Sequence, residues 1–417
     1  MPDTENNPNG TSSNDRVLIT VTGRDRAGIT ATLTGILSEQ GATLHDIEQV
    51  VVQGQLTLCL LVGLSHARDV LKELLFAAKE LGMELDFKPV TAPAAAGPGG
   101  APAGVSASSE NGRRYVITAI GRSLGADHLH ALARTLAGEG ANIEKISRLS
   151  EGTLASVEIH ACLPAGRDRE VLKRSLLAVA TKAGFDVSLQ RESLYRRSKR
   201  LVVMDMDSTL IRIEVIDELA RAAGVGEAVS KITERAMQGE MDYDESLRQR
   251  VALLAGLDVK ELDRIANDLP LTEGAETLIR VLKRLGFRTA VISGGFSRAA
   301  DALKRRLGID YAFSNNLEIE GGKLTGKVVG PIVNAQRKAE LLELIAQLEG
   351  VLLDQVIAVG DGANDVLMLE KAGLGIAFRA KTKLREAADT TISASGLDAI
   401  LYLLGISGRE LQEVDSG

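Results

Sequence analysis

Beyond residue 165 the 417-residue chain contains neither histidine nor cysteine: His45, His66, His128, His130, His160, Cys59 and Cys162 all precede that point. Chemistry in the C-terminal half therefore cannot use a thiolate nucleophile, a histidine general base or a His/Cys zinc site. Carboxylates, lysine, serine and an oxygen-bound metal must suffice. The two cysteines sit in apolar runs, TLCLLV and IHACL, and read as reduced core residues, not as a disulfide framework. Basic clusters are scarce, the most basic stretch beginning RRSK at 196, and the formal net charge is -7. That balance argues against a nucleic-acid partner, whose phosphates require clustered Lys and Arg. No apolar run is long enough to span a bilayer, and the opening MPDTENNPNGTSSND is polar and acidic where a signal peptide is basic and then apolar. A cytoplasmic location with no membrane partner is expected.

What is present is ordinary globular composition, 45% hydrophobic and 25% charged, in a chain long enough for about three domains. Residues 1–15 read as a disordered tail. The tract TAPAAAGPGGAPAGVSASSENG cannot bury a core and reads as a linker over 93–112. On either side lie two similar units, 16–92 and 113–193, each alternating strand, helix, strand, strand, helix, strand. The repeat is visible in SEQGATLHDIE against AGEGANIEKIS, where Gly41 and Gly140 each end a helix. From 194 to 417 the pattern changes. KRLVVMD, FRTAVISGG, QVIAVGDG, LGIAF and DTTIS are short apolar β-rich runs separated by helical stretches, which predicts a parallel sheet covered on both faces. A helical excursion over about 212–274 predicts a cap inserted after the first strand. EIEGGKLTGKVVGPIV predicts a hairpin turning at Gly321 and Gly322.

In such a sheet, ligands bind outside the carboxyl ends of the strands. Asp205 ends the first strand, Ser293 and Gly294 the second, and Asp361 the next, so three strands deliver polar groups to one rim. Asp205 and Asp207, two residues apart, repel one another unless a cation lies between them or one carries a proton. A hard divalent ion, Mg2+ foremost, supplies the first remedy, with Asp361 as a further ligand. A proton supplies the second, making Asp207 a general acid while Asp205 stays ionised as a nucleophile. VISGGFSRAADALKRRLG places Ser293, Gly294 and Gly295 at the expected start of a helix, where free N–H groups favour a phosphate, and Lys338 can add positive charge.

DMDST at 205–209, Ser293-Gly294, Lys338 and GDGAND at 360–365 together resemble the four motifs of the haloacid dehalogenase superfamily of phosphohydrolases. The resemblance implies a Rossmann-like α/β core, attack by Asp205 on phosphorus, an aspartyl-phosphate intermediate and acid–base work by Asp207. It also implies Mg2+ held by Asp205, the backbone carbonyl of Asp207 and Asp361, with Asn364 and Asp365 ordering the site. The helical insertion, with Glu214, Met237, Tyr243 and Arg250, is similar to the cap of the phosphoserine phosphatase family. There the glutamate meets the substrate ammonium and the arginine its carboxylate, a fit to the zwitterion O-phospho-L-serine. The two N-terminal units resemble ACT domains, ferredoxin-like modules that bind amino acids. GRDRAGIT places the loop glycine of that family at Gly28, and GRSLGADH offers Gly125. This implies regulation by an amino acid, L-serine foremost, and a homodimer. A phosphotransferase acting on another amino-acid hydroxyl, or an amino-acid sensor with residual hydrolase activity, are the competing readings.

Overall fold

The computed structural model describes residues 16–64, 67–90, 112–151, 155–380, 384–385 and 388–416. The expected tail and the linker up to residue 111 lie outside the described residues. The chain divides into two compact units, Met1–Val105 and Ser106–Gly417.

In the first unit, β1 (Arg16–Arg24), β2 (Thr43–Val52), β3 (Gln55–Gly63) and β4 (Glu84–Val90) form an antiparallel sheet in the order β2-β3-β1-β4. Alternate residues of β1 and β3, among them Ile19, Val21, Leu58 and Leu60, point to one face. There they pack against Leu33 and Leu37 of the helix Ile29–Glu39 and Leu74 of the helix Ala67–Glu80. The edge strand β2 is exposed throughout, with Leu44, Ile47, Val50, Val51 and Val52 open to solvent.

The second unit begins with the same topology. Strands β5 (Arg113–Ile120), β6 (Asn142–Arg148), β7 (Ser156–Leu163) and β8 (Asp186–Arg191) lie in the order β8-β5-β7-β6, matching β4-β1-β3-β2 element for element. This sheet does not stop at β8. It continues through β15 (Thr390–Ile392), β14 (Leu374–Phe378), β13 (Val356–Gly360), β9 (Leu201–Met204), β10 (Arg288–Phe296), β11 (Tyr311–Glu320) and β12 (Lys323–Val329), eleven strands among the described residues. The seam is the antiparallel pair β8·β15, reinforced by a bond between the Ser188 and Thr390 hydroxyls at 2.6 Å. Asp186 also accepts from the backbone N–H groups of Ser393 and Ala394 at 2.7 and 3.0 Å. The second βαββαβ unit is thus built into the C-terminal half.

From β11 to β15 the strands are parallel, as the continuous apolar runs predict. LVVM of β9 is fully buried because both faces are covered. Leu201 and Val203 join one core cluster, Val202 and Met204 the other. The cap enters and leaves at a bridge between Ile211 and Leu271. It comprises the helices Val215–Ala222, Gly226–Met237, Tyr243–Ala252 and Val259–Asn267. The β11–β12 hairpin turns at Gly321-Gly322 and is bonded to this cap by Gly256 N–H to Leu324 O, Leu324 N–H to Leu257 O and Val259 N–H to Gly322 O, at 2.8 to 2.9 Å.

Candidate active site

Strand register brings the site together. Met204 of β9 aligns with Val291 of β10 and Val359 of β13, so the residues that follow, Asp205, Ser293 and Asp361, emerge at one rim. Lys338, in the first turn of the helix Ala335–Leu348, reaches the same point and is completely buried. Its Nζ lies 2.7 Å from Asp205 Oδ2 and 2.7 Å from Asp365 Oδ1. Burial alone works against the ammonium charge, but the two carboxylates outweigh it and raise the lysine pKa.

Asp205, Asp361 and Asp365 place carboxylate oxygens within 4.8 Å of one another. Three carboxylates and one ammonium leave a net charge of -2 when all are ionised. Burial, and then the charge of Asp365, raises the pKa of Asp205 and pushes Asp361 up to about 7. A divalent cation relieves that cost, and an all-oxygen donor set suits a hard ion, so these residues fit such a metal. Thr209 donates to Asp361 Oδ1 at 3.0 Å and orients it.

Asp207 faces the same space. Its Oδ1 accepts from Val215 N–H at 2.9 Å and its Oδ2 from the Ser293 hydroxyl at 3.2 Å. Burial, and then the charge of Glu214, pushes its pKa up to about 7 despite those bonds. A carboxyl so placed exchanges a proton near neutrality. Ser208 adopts φ 55, the left-handed region, which turns the chain sharply between Asp207 and the cap. Its hydroxyl donates to Glu214 Oε1 at 2.6 Å.

The expectation that Ser293–Gly295 open a helix is corrected. Strand β10 runs on to Phe296 and the helix begins at Ser297. The three residues instead form a bulge: between the aligned pairs Ile292–Phe313 and Phe296–Asn315, β10 has three residues where β11 has one. The bulge aims Ser293 at Asp207, and Gly295 N–H donates to Ser293 Oγ at 2.8 Å. A Cβ on Gly295 would lie 2.3 Å from Asp207 Oδ2, and one on Gly294 2.0 Å from the Tyr243 hydroxyl, so neither position accepts a side chain.

The cap is closed over this rim. Tyr243 OH donates to Gly294 O at 3.3 Å, and Asn334 Nδ2 donates to Asp244 Oδ1 at 3.0 Å. Arg250 is half-buried near the end of the Tyr243 helix, close enough for its charge to act on the Tyr243 phenol. Asn364 is half-buried in the turn Ala363–Asp365. The side chain of Met237 lies outside the described residues. Of the two loop glycines, Gly28 has φ 98, which glycine alone adopts readily, whereas Gly125 is extended at φ -93. The two are therefore not conformational equivalents. Sequence reasoning missed Ser208, Thr209, Asn315 and Asn334. Only the first two carried a signal, as members of DMDST.

Fold and rim together define a phosphohydrolase of the haloacid dehalogenase type with ACT modules ahead of it. Accordingly, residues 199–373 match the haloacid dehalogenase-like hydrolase family, and residues 15–88 and 114–190 match ACT domains. The chain is 42% identical to the phosphoserine phosphatase of Streptomyces coelicolor, over 97% of this chain and 96% of that protein. It is 43% identical to phosphoserine phosphatase SerB2 of Mycobacterium tuberculosis, over 96% of each. Among solved structures, a HAD family hydrolase from Salmonella enterica serovar Typhi superposes with TM-score 0.62 at 32% identity, covering 70% of this chain and 98% of that one. The chain belongs to the phosphoserine phosphatase family.

Proposed function

We propose that the protein hydrolyses O-phospho-L-serine to L-serine and phosphate, the last step of serine biosynthesis, through an aspartyl-phosphate on Asp205. The observation that carries this reading is the buried Asp205–Lys338–Asp365 group beside Asp207 and Asp361, under a closed cap. Asp205 attacks phosphorus. Asp207 gives its proton to the departing serine oxygen and then takes one from the water that cleaves the intermediate. Ser293, Gly294 and Lys338 hold the phosphate oxygens, with Asn364 at the edge of the same site. Asp205, the Asp207 carbonyl and Asp361 hold Mg2+, which lowers the cost of bringing a phosphate dianion to a carboxylate. In the cap, Glu214 meets the ammonium and Arg250 the carboxylate, with Met237 and Tyr243 lining the pocket. The reduced thiols of Cys59 and Cys162 suit a reducing cytoplasm. L-Serine acting at the Gly28 loop is the proposed regulator. The open apolar edge of β2 supports a homodimer, since such an edge invites pairing.

The test is phosphate release from O-phospho-L-serine and from an aryl phosphate, with Mg2+ and with excess chelator. Chelation is expected to abolish both. Glu214→Gln and Arg250→Ala are expected to cut kcat/KM for phosphoserine by roughly 10²-fold each while leaving the aryl phosphate within a few-fold, because only phosphoserine uses the charge pair. Equal losses on both substrates would remove Glu214 and Arg250 from substrate recognition.

A further inference from the structure

Asn315 lies on β11, 1% exposed, and no motif singles it out. Its Nδ2 donates to Gly294 O at 2.7 Å and its Oδ1 accepts from Val333 N–H at 2.8 Å. The first bond fills the gap in the β10–β11 ladder left by the Ser293–Gly295 bulge. The second holds the residue just before Asn334, the N-cap of the Lys338 helix, whose own carbonyl accepts from Lys338 N–H at 2.8 Å. One buried amide therefore ties together the two segments that bring Ser293 and Lys338 to the rim.

We propose that Asn315 is a positioning residue that sets the spacing between the Ser293–Gly295 bulge and Lys338, and so shapes the phosphate-binding side of the site. It touches neither substrate nor reacting atoms. This rests on the reading of that rim as the phosphate site. The chemistry demands an amide, since one partner is a carbonyl that needs a donor and the other an N–H that needs an acceptor. An aspartate of the same size keeps the bond to Val333 but turns an oxygen toward Gly294 O. A leucine keeps neither. With the Gly294 carbonyl released, its peptide can rotate, and the Gly295 N–H that anchors Ser293 Oγ rotates with it. Tyr243 bonds the same carbonyl at 3.3 Å and is too long a contact to replace a buried 2.7 Å bond.

The test uses the full chain carrying N315D or N315L, with kcat and KM for phosphoserine and for an aryl phosphate, the competitive inhibition constant of inorganic phosphate, and the thermal midpoint. Per folded molecule, N315D is expected to lose about 30-fold or more in kcat/KM on both substrates alike, and to bind inorganic phosphate about tenfold more weakly. The equal loss separates it from Glu214→Gln and Arg250→Ala, whose main loss is on phosphoserine. If N315L does not fold, N315D, which preserves volume and the Val333 bond, carries the test. Rates within threefold of wild type, a loss confined to phosphoserine, or a loss matched by the unfolded fraction would each overturn the proposal. If the wild type hydrolyses the aryl phosphate but not phosphoserine, the substrate assignment fails while the role of Asn315 is still measured.

Discussion

Asp205→Asn is expected to lower phosphate release by on the order of 10⁴-fold or more while the protein stays folded. The substitution preserves volume at a buried position, and the amide oxygen can still accept from Met206 N–H, which now bonds Asp205 Oδ1 at 2.7 Å. What disappears is charge. The site falls from three carboxylates to two against the single Lys338 ammonium, so its pull on a divalent cation weakens just as the nucleophilic oxygen is lost. The fold itself suffers little, because removing a buried carboxylate whose pKa is already raised also removes a desolvation cost. Acid-quenched wild type mixed with radiolabelled phosphoserine should carry label on Asp205, and the variant none. Substantial turnover by the variant would rule out a covalent aspartyl-phosphate.

Much of this rim was legible because a parallel sheet makes strand ends functional by topology. Asp205, Ser293 and Asp361 each end an apolar run, and register alone then makes them neighbours. The helix expected at Ser293 was displaced because a glycine pair after a strand signals either a helix start or a bulge. Which one forms depends on the partner strand, and here Phe296 resumes pairing with Asn315. Asn315 was invisible for the same reason: in YAFSNNLEIE nothing local distinguishes it from Asn316, and its role exists only through the bulge opposite. The seam between β8 and β15 was also beyond reach. Antiparallel pairing of residues 202 positions apart leaves no periodic trace, and DTTIS reads alike as an edge or an interior strand.

That seam makes the two ACT modules unequal, and truncation is expected to expose the difference. A chain beginning at 106 keeps the whole second unit and should fold with near-normal turnover. Its inhibition by L-serine should be lost, because Gly28, the loop glycine with positive φ, has gone with the first module. A chain beginning at 195 loses far more. Thr390 and Thr391 lose their strand partners, and Ser393 and Ala394 N–H lose Asp186. Leu403 O loses Gln190 at 3.0 Å, Asp389 loses Arg169 at 3.1 Å, Gly408 N–H loses Leu149 O at 2.7 Å and Arg196 loses Glu158. Ile120, which packs in one apolar cluster with Leu397, Ile400 and Leu401, is deleted as well. At about 1 kcal/mol for each buried bond, the loss is several kcal/mol against a usual total of about 5–15 kcal/mol. The thermal midpoint of the shorter chain should therefore fall by about 10 °C or more below that of the chain from 106. Calorimetry on both chains, with phosphate release and serine titration, checks the two effects separately. Equal midpoints would make the β8·β15 seam a contact without energetic weight. Undiminished serine inhibition of the chain from 106 would move the regulatory site out of the first module.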